Sequence, residues 1–300
     1  MRLKAHTGPR LGWGAVGALG LCLQVVVAQP ARAAELRPKT VDAWQRYAAA
    51  VEARMDQELT STSRFLVVDF VEPSGGLEER KAILAGNIPV SRMAALGRNA
   101  EEIDVPGGLI NHWRAAVFVP GVTLDQVLEE LRSPAVRRHK QEDVLESRML
   151  WRDGDRSHVY LKLVRKKIVT VTYNTEHDVL YRRLGPTKAV SRSVSTKIAE
   201  LENAGTPQER EKPIGKDRGF MWRLNSYWRY EQVPGGVIVE LESLTLSRDI
   251  PLLIKLIAKP IIDSIARESM ARTLQSMRDR LVSSAAVARA DVRGGRESLP

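Results

Sequence analysis

Cysteine is almost absent from this 300-residue chain: Cys22 is the only one. It lies in an apolar N-terminal stretch, so the remainder has no disulfide, no thiolate metal site and no cysteine nucleophile. The common catalytic signatures are missing as well. There is no G-x-S-x-G elbow, no G-x-G-x-x-G, no Walker loop and no H-E-x-x-H. His112, His139, His158 and His177 are scattered, with none at a ligand spacing from another. His112 alternates with Trp113 on a predicted strand, so only one of the two can face inward, and it reads as a structural or surface histidine. Asp153-Gly154-Asp155 has no calcium-ligand series after it and reads as a hairpin turn. No metal and no cofactor are expected.

One long apolar run is present, from Leu11 to Val27. With Arg2, Lys4 and Arg10 before it and Ala31-Arg32-Ala33 after it, residues 1–33 read as a secretory signal cleaved before Ala34. The run is short for a membrane span. Leu21 before Cys22 does not suit a lipoprotein signal. The leader holds four basic residues and no acidic ones, so its removal lowers the formal charge from +10 to +6. The expected location is secreted or periplasmic. A basic protein there meets anionic lipid headgroups or acidic polymers, not nucleic acid. The basic runs Arg137-Arg138-His139-Lys140 and Arg165-Lys166-Lys167 read as solvated turns, with transient membrane-surface contact as the alternative.

Val41 to Leu59 has a helical stripe (Trp44, Tyr47, Ala48, Val51, Met55), and Arg64 to Glu72 reads as an apolar strand. Glu78 to Leu96 fits a returning strand or a short helix. From Leu109 the order is strand, a short helix with a Thr123/Gln126 capping box, and a run of antiparallel strands. That run includes Val144–Trp151, Ser157–Val164, Ile168–Asn174, Val179–Arg183 and Ala189–Glu200.

Phe220 to Tyr230 then alternates as a half-buried strand. A turn at Pro234-Gly235 places Arg229 opposite Glu240 and Trp228 opposite Leu241. The charged pair is expected in solvent and the apolar pair inside. On that basis Arg229→Ala should be mild and Trp228→Ala severe. From Pro260 a final helix carries Ile262, Ile265, Ala266, Ser269, Met270, Thr273, Leu274, Met277 and Leu281 on one side. The tail after it reads as disordered. The fold class is α+β: one curved antiparallel sheet with its helices on one face.

Three strings carry a resemblance: Asn111-His-Trp-Arg-Ala-Ala-Val-Phe-Val-Pro-Gly; Gly219-Phe-Met-Trp-Arg-Leu-Asn-Ser-Tyr-Trp-Arg-Tyr; and Leu246-Ser-Arg-Asp-Ile-Pro with Ala266-Arg-Glu-Ser-Met-Ala-Arg-Thr-Leu. With the element order they resemble a bacterial exported branch of the START-like (SRPBCC) superfamily of polyketide cyclases, dehydrases and lipid-transport proteins. They do not match its steroidogenic or plant hormone-receptor branches. The resemblance spans about Leu109 to Val282 and implies a helix-grip fold, a curved sheet wrapped around a long C-terminal helix. The division it implies is 1–33 signal peptide, 34–105 extension, 106–284 START-like domain and 285–300 tail.

The predicted inner face includes Trp222, Leu224, Ser226, Trp228, Tyr230, Leu241 and Ser243, facing Ala266, Ser269, Met270 and Thr273 on the helix. Such a face could be ordinary core. Its hydroxyls need partners once buried, and an apolar pocket with a few hydroxyls is the composition of a small-molecule site. Together with the resemblance, this points to a module binding a lipid or another apolar molecule. The alternatives are a cyclase or dehydratase, for which no inward carboxylate or histidine is identified, and an envelope structural protein.

Overall fold

A computed structural model describes residues 34–71, 73–97, 101–132, 143–166, 170–249 and 252–297. The expected signal peptide and the basic run at 137–140 lie outside these residues. In order the elements are β1 (Ala34–Glu35), α1 (Pro38–Glu58), a 3-10 turn (Val67–Phe70), α2 (Pro73–Leu84), β2 (Val90–Arg92), β3 (Gly108–Pro120), α3 (Leu124–Arg132), β4 (Val144–Asp153), β5 (Arg156–Lys166), β6 (Thr170–Arg183), β7 (Lys188–Glu202), β8 (Arg210–Glu211), β9 (Lys216–Asp217), β10 (Arg223–Val233), β11 (Gly236–Arg248) and α4 (Leu252–Glu297).

The main sheet runs β2-β3-β11-β10-β7-β6-β5-β4, with β8 added on β7 and β1 paired with β9 separately. All pairings are antiparallel. With the long C-terminal helix laid across the sheet, this is the α+β helix-grip arrangement. The central hairpin has the expected register, Arg229 opposite Glu240 and Trp228 opposite Leu241. Its turn needs both glycines. Gly235 has φ +84°, and a Cβ on Gly236 would come 2.2 Å from the Val119 carbonyl oxygen. The α3 capping box also forms: Thr123 N–H donates to Gln126 Oε1 (2.9 Å) and Gln126 N–H to Thr123 Oγ1 (3.3 Å).

Helices cover both faces of the sheet, not one. On the first face α3 and α4 pack over Trp113, Ala115, Val117, Val239 and Leu241, with Met270, Leu274, Met277 and Leu281 supplied by α4. On the second, α1 lays Trp44, Tyr47 and Val51 on Tyr227, Leu244 and Leu246. The 3-10 turn and α2 cover Ala116 and Ile238. Those apolar side chains project from the face expected to be solvated. Burying each leucine or valine fully contributes roughly 1.5–3 kcal/mol, enough to hold the extension there.

Three further expectations change. The strand expected over Arg64–Glu72 does not form in its described residues, Arg64–Val71: Asp69 Oδ2 accepts the Phe65 and Leu66 N–H groups and folds the chain into the 3-10 turn. Of the two strands expected at Ile168–Asn174 and Val179–Arg183, the described residues form one, β6, which runs unbroken from Thr170 to Arg183. Helix α4 begins at Leu252, keeps Pro260 in its interior, and continues to Glu297 through the stretch expected to be a disordered tail. Alanine-rich sequence around Ala285–Ala290 favours continuing the helix.

Candidate ligand-binding face

Antiparallel register decides which side chains share the α4 face. Across the strands the rows read Trp113–Ser243–Ser226–Ser193–Val179–Ser157, then Ala115–Leu241–Trp228–Ser191–Tyr181. A third row brings Asn111, Thr245 and Leu224 towards Ser195 and His177, where β7 bulges beside β6. Most of this face is apolar, and serines recur along its middle.

Helix α4 packs chiefly on β3, with lesser contacts to β2 and α3. The β3 side of the face is therefore covered by the helix, and the β10–β7 middle is not. Leu224, Ser226, Trp228, Ser193, Ser195, Ser243 and Thr245 are only half-buried, whereas Val117, Val237 and Val239 beside them are 0% exposed. Trp228 stacks on Tyr230 with ring centroids 6.5 Å apart and a 4° interplanar angle. Tyr230 is buried and bonds Ser191 Oγ through its hydroxyl at 3.1 Å. Burial holds that phenol well above its ordinary pKa, and neighbouring Tyr181 adds to the shift.

The structure brings most of the sequence-predicted residues together here. Leu241 and Met270 are buried in the α4 cluster, and Ala266 packs against it. Ser269 and Thr273 are half-buried on α4, with Thr273 Oγ1 donating to the Ser269 carbonyl at 2.9 Å. Leu224 sits at the far end of the face, against the Leu163, Val171 and Tyr173 cluster.

Trp222 does not join them. It precedes β10, its Nε1–H donates to Asp217 Oδ1 at 3.1 Å, and its ring packs with Trp44 and Leu246 under α1. Phe220 is 44% exposed beside Arg218 and Arg248. The alternation read through both residues begins only at Arg223.

Two features escaped the sequence. His177 shares the α4 face with Thr175 and Tyr181 and is 3% exposed. Thr175 Oγ1 donates to the Leu161 carbonyl (3.1 Å), so His177 Nε2–H donates to Thr175 Oγ1 (3.0 Å), which leaves Nδ1 as the unprotonated nitrogen. Burial, assisted by His158, lowers its pKa to about 4, so the ring is neutral near pH 7. The second feature is an open cleft of ≈ 520 Å³ at the α3 end of the same face. Leu128, Arg132, Arg152, Tyr181 and Ala189 are among its walls. None of the sequence-predicted residues lines it.

The opposite face is closed by charge. Arg229 and Glu240, expected in solvent, are 3% and 1% exposed. Arg229 donates to the Phe65 carbonyl (2.6 Å) and to Glu58. Glu240 accepts from Val67 N–H (2.7 Å) and pairs with Arg114 (3.4 Å). Arg114 also binds Glu79 and Ser91. Glu242 takes Arg54 and His112 Nε2 (2.6 Å), and the Tyr47 hydroxyl bonds His112 Nδ1 at 3.0 Å. Burial pushes the Glu240 carboxyl up. Glu242 feels the same burial, yet the His112 hydrogen bond and Arg54 bring it below the ordinary value.

No family model matches the chain, and no curated protein matches it. Among solved structures it is similar to a STAR-related lipid transfer protein fragment from Xanthomonas axonopodis, at 17% identity and TM-score 0.42, over 64% of this chain and 98% of that one. It is similar to human STARD10 at 9% identity and TM-score 0.44, over 80% and 92%. It is also similar to the Zhui aromatase/cyclase of Streptomyces sp. R1128, at 13% and 0.37, over 58% and 94%. Likenesses at this level carry no argument about ligand or activity. The helix-grip description rests on the topology above.

Proposed function

We propose that the protein is exported and that it holds a lipid or another apolar small molecule between α4 and the sheet, as a binding module. The observation that carries this reading is the half-buried band of Leu224, Ser226, Trp228 and Ser243 beside Val117, Val237 and Val239, which are fully buried on the same face. A helix packed for stability alone would cover Trp228 as it covers Trp113 on the same face, and would leave no row of serines half-open beneath it. A START-like fold suggests hydrophobic-ligand binding or cyclase-type chemistry, and the band suits the first. For export, the motive is the basic start, the apolar run and Ala31-x-Ala33. Ala34 begins β1 and pairs with Asp217, so cleavage before it would leave that pairing intact.

Titration with a fluorescent fatty acid or sterol tests the binding reading, with native mass spectrometry of protein purified from its source to find a retained ligand. A protein that takes up no apolar probe and carries no ligand would refute it. Intact-mass measurement tests export, since a soluble mature species retaining Cys22 would contradict cleavage before Ala34.

One observation favours a second reading, a cyclase-type enzyme. His177 supplies the inward base that the sequence had not revealed, neutral at pH 7 and hydrogen-bonded through Nε2. Retained ligand binding with loss of turnover in His177→Gln would select this reading over simple binding.

A further inference from the structure

Buried guanidinium groups are ordinarily saturated with hydrogen bonds, because an unpaired one costs several kcal/mol. On the extension face this rule holds for Arg54, Arg114 and Arg229. Arg280 breaks it. It follows Thr273 and Met277 along α4 at helical spacing, is 7% exposed and lies beside Tyr181 and Tyr230. Its Nε–H is buried with no acceptor among the described residues. The nearest carboxylate oxygen, Glu130 Oε1, stands 3.9 Å from that nitrogen, beyond hydrogen-bond reach. Burial lowers its pKa from the ordinary arginine value, with Glu130 opposing.

A second observation converges on the same place. Arg132, at the end of α3, sits 5.5 Å from the centroid of the Tyr181 ring, and its Nε–H is likewise buried without an acceptor. Tyr181 joins the two, since it lines the ≈ 520 Å³ cleft and neighbours Arg280. Here an apolar face ends in two guanidinium groups whose Nε–H lacks an acceptor, with an opening beside them, Arg132 being paired through Nη2 with Asp155 and the Gly154 carbonyl.

We propose that Arg280, assisted by Arg132, receives the oxyanion head of a single-chain amphiphile whose tail runs along the Leu224, Ser226 and Trp228 band. A planar guanidinium fork matches a carboxylate's two oxygens, and the apolar surroundings strengthen the pair. This rests on the binding reading above and names its ligand class. A neutral sterol or glyceride offers the buried cation no second anion beyond the distant Glu130. An anionic amphiphile satisfies it.

The test uses cis-parinaric acid and its methyl ester, which share a tail and differ in charge. Wild-type protein should bind the acid at least tenfold more tightly than the ester. Arg280→Met should weaken acid binding at least tenfold and leave ester binding within about twofold. The thermal midpoint of its ligand-free form should be equal or higher, because no intramolecular hydrogen bond is removed and only the 3.9 Å ion pair with Glu130 is given up. Arg280→Lys should recover part of the loss, and Arg132→Met should cost the acid a few-fold with the ester unchanged. That second variant keeps the test alive if Arg280→Met fails to fold. Equal affinities for acid and ester in the wild type, or undiminished acid binding in both Met variants, would overturn the anionic-head assignment and leave the cavity standing. If neither probe binds the wild type, the cavity reading falls and the assignment with it.

Discussion

The same central strands, β3, β11 and β10, bury polar groups on both faces, but in opposite ways. Beneath α1 and the 3-10 turn, Arg54, Glu58, Arg114, Arg229, Glu240 and Glu242 bond one another or nearby backbone. Beneath α4, serines stand half-open around Trp228, and the buried Arg280 Nε–H lacks an acceptor. Every guanidinium of this network is bonded within the protein, and the buried atoms it leaves over, Glu242 Oε2 and Glu79 Oε1, are acceptors, so its role is to fix the extension on the sheet. An open set of donors on an apolar face has capacity to spare. Polar burial thus separates a clamp from a site by whether its bonds are already spoken for.

The largest effect should come from breaking the clamp. Arg229→Ala strips Glu58 and the Phe65 carbonyl of a donor and leaves buried Glu240 with one cation fewer. Removing one partner of a buried pair costs roughly 3–5 kcal/mol. A denaturation midpoint reads this, and protection of α1 amides in hydrogen exchange should fall with it. A change under about 1 kcal/mol would mean that the extension is held by its apolar contacts alone. From the sequence this substitution was expected to be mild and Trp228→Ala severe. The strand is not flipped; its outer face is covered.

Next in size is a pH effect confined to the α4 face. His177 takes up a proton near pH 6.5 when unfolded but only near pH 4 when folded, because burial disfavours its charged form. Between those values the unfolded chain binds more protons. The stabilisation is therefore complete above about pH 6.5 and is lost as pH falls towards 4, by up to about 3 kcal/mol. His177→Gln should flatten the fall in unfolding free energy between pH 7 and pH 4 relative to wild type. Parallel profiles for the two proteins would show that the ring is hydrated.

Trp228→Ala comes third. A fully buried Trp→Ala change costs roughly 3–5 kcal/mol. Trp228 is only half-buried, so about 2 kcal/mol is expected, less than for Arg229→Ala measured by the same midpoint. A larger loss for Trp228 would show that the band is closed in solution.

How far the sequence reached follows from what alternation encodes. Period-two patterning assigns side chains to faces and fixes register, hence the correct pairing of Arg229 with Glu240 and of Ser226 with Ser243. It says nothing of what covers a face. The signal for a cover was present, since Tyr227, Ile238 and Leu244 are apolar on the supposedly solvated side. It was outweighed by Arg229, Glu240 and Glu242, which read as surface charge. His177 was missed for a different reason. It fell between the two strands expected at Ile168–Asn174 and Val179–Arg183, although Tyr173, Thr175, His177, Val179 and Tyr181 alternate as one strand. That Arg280 Nε–H is left without an acceptor depends on how α3 packs beside α4, which no local pattern records.

The smallest expected change in stability is the most informative about the open face. Ser269 lies half-buried on α4 one turn before Thr273, whose hydroxyl is taken up by the Ser269 carbonyl. The Ser269 hydroxyl has only a marginal contact, 3.5 Å from Asp143 Oδ2. Replacing it with leucine therefore forfeits little. If the space beneath is a ligand cavity, the larger side chain enters a void, and the thermal midpoint should stay within the range of about 0.5 kcal/mol typical of substitutions that disturb no packing, or rise. Uptake of a fluorescent fatty acid should be lost at the same time, because the added atoms occupy the ligand's path. If α4 closes down on the sheet in solution, the same change overpacks a core and costs about 1–3 kcal/mol, with no uptake by wild type or variant. Midpoint and titration measured on both proteins separate the two states, since only a cavity makes the protein indifferent to the leucine and the ligand sensitive to it.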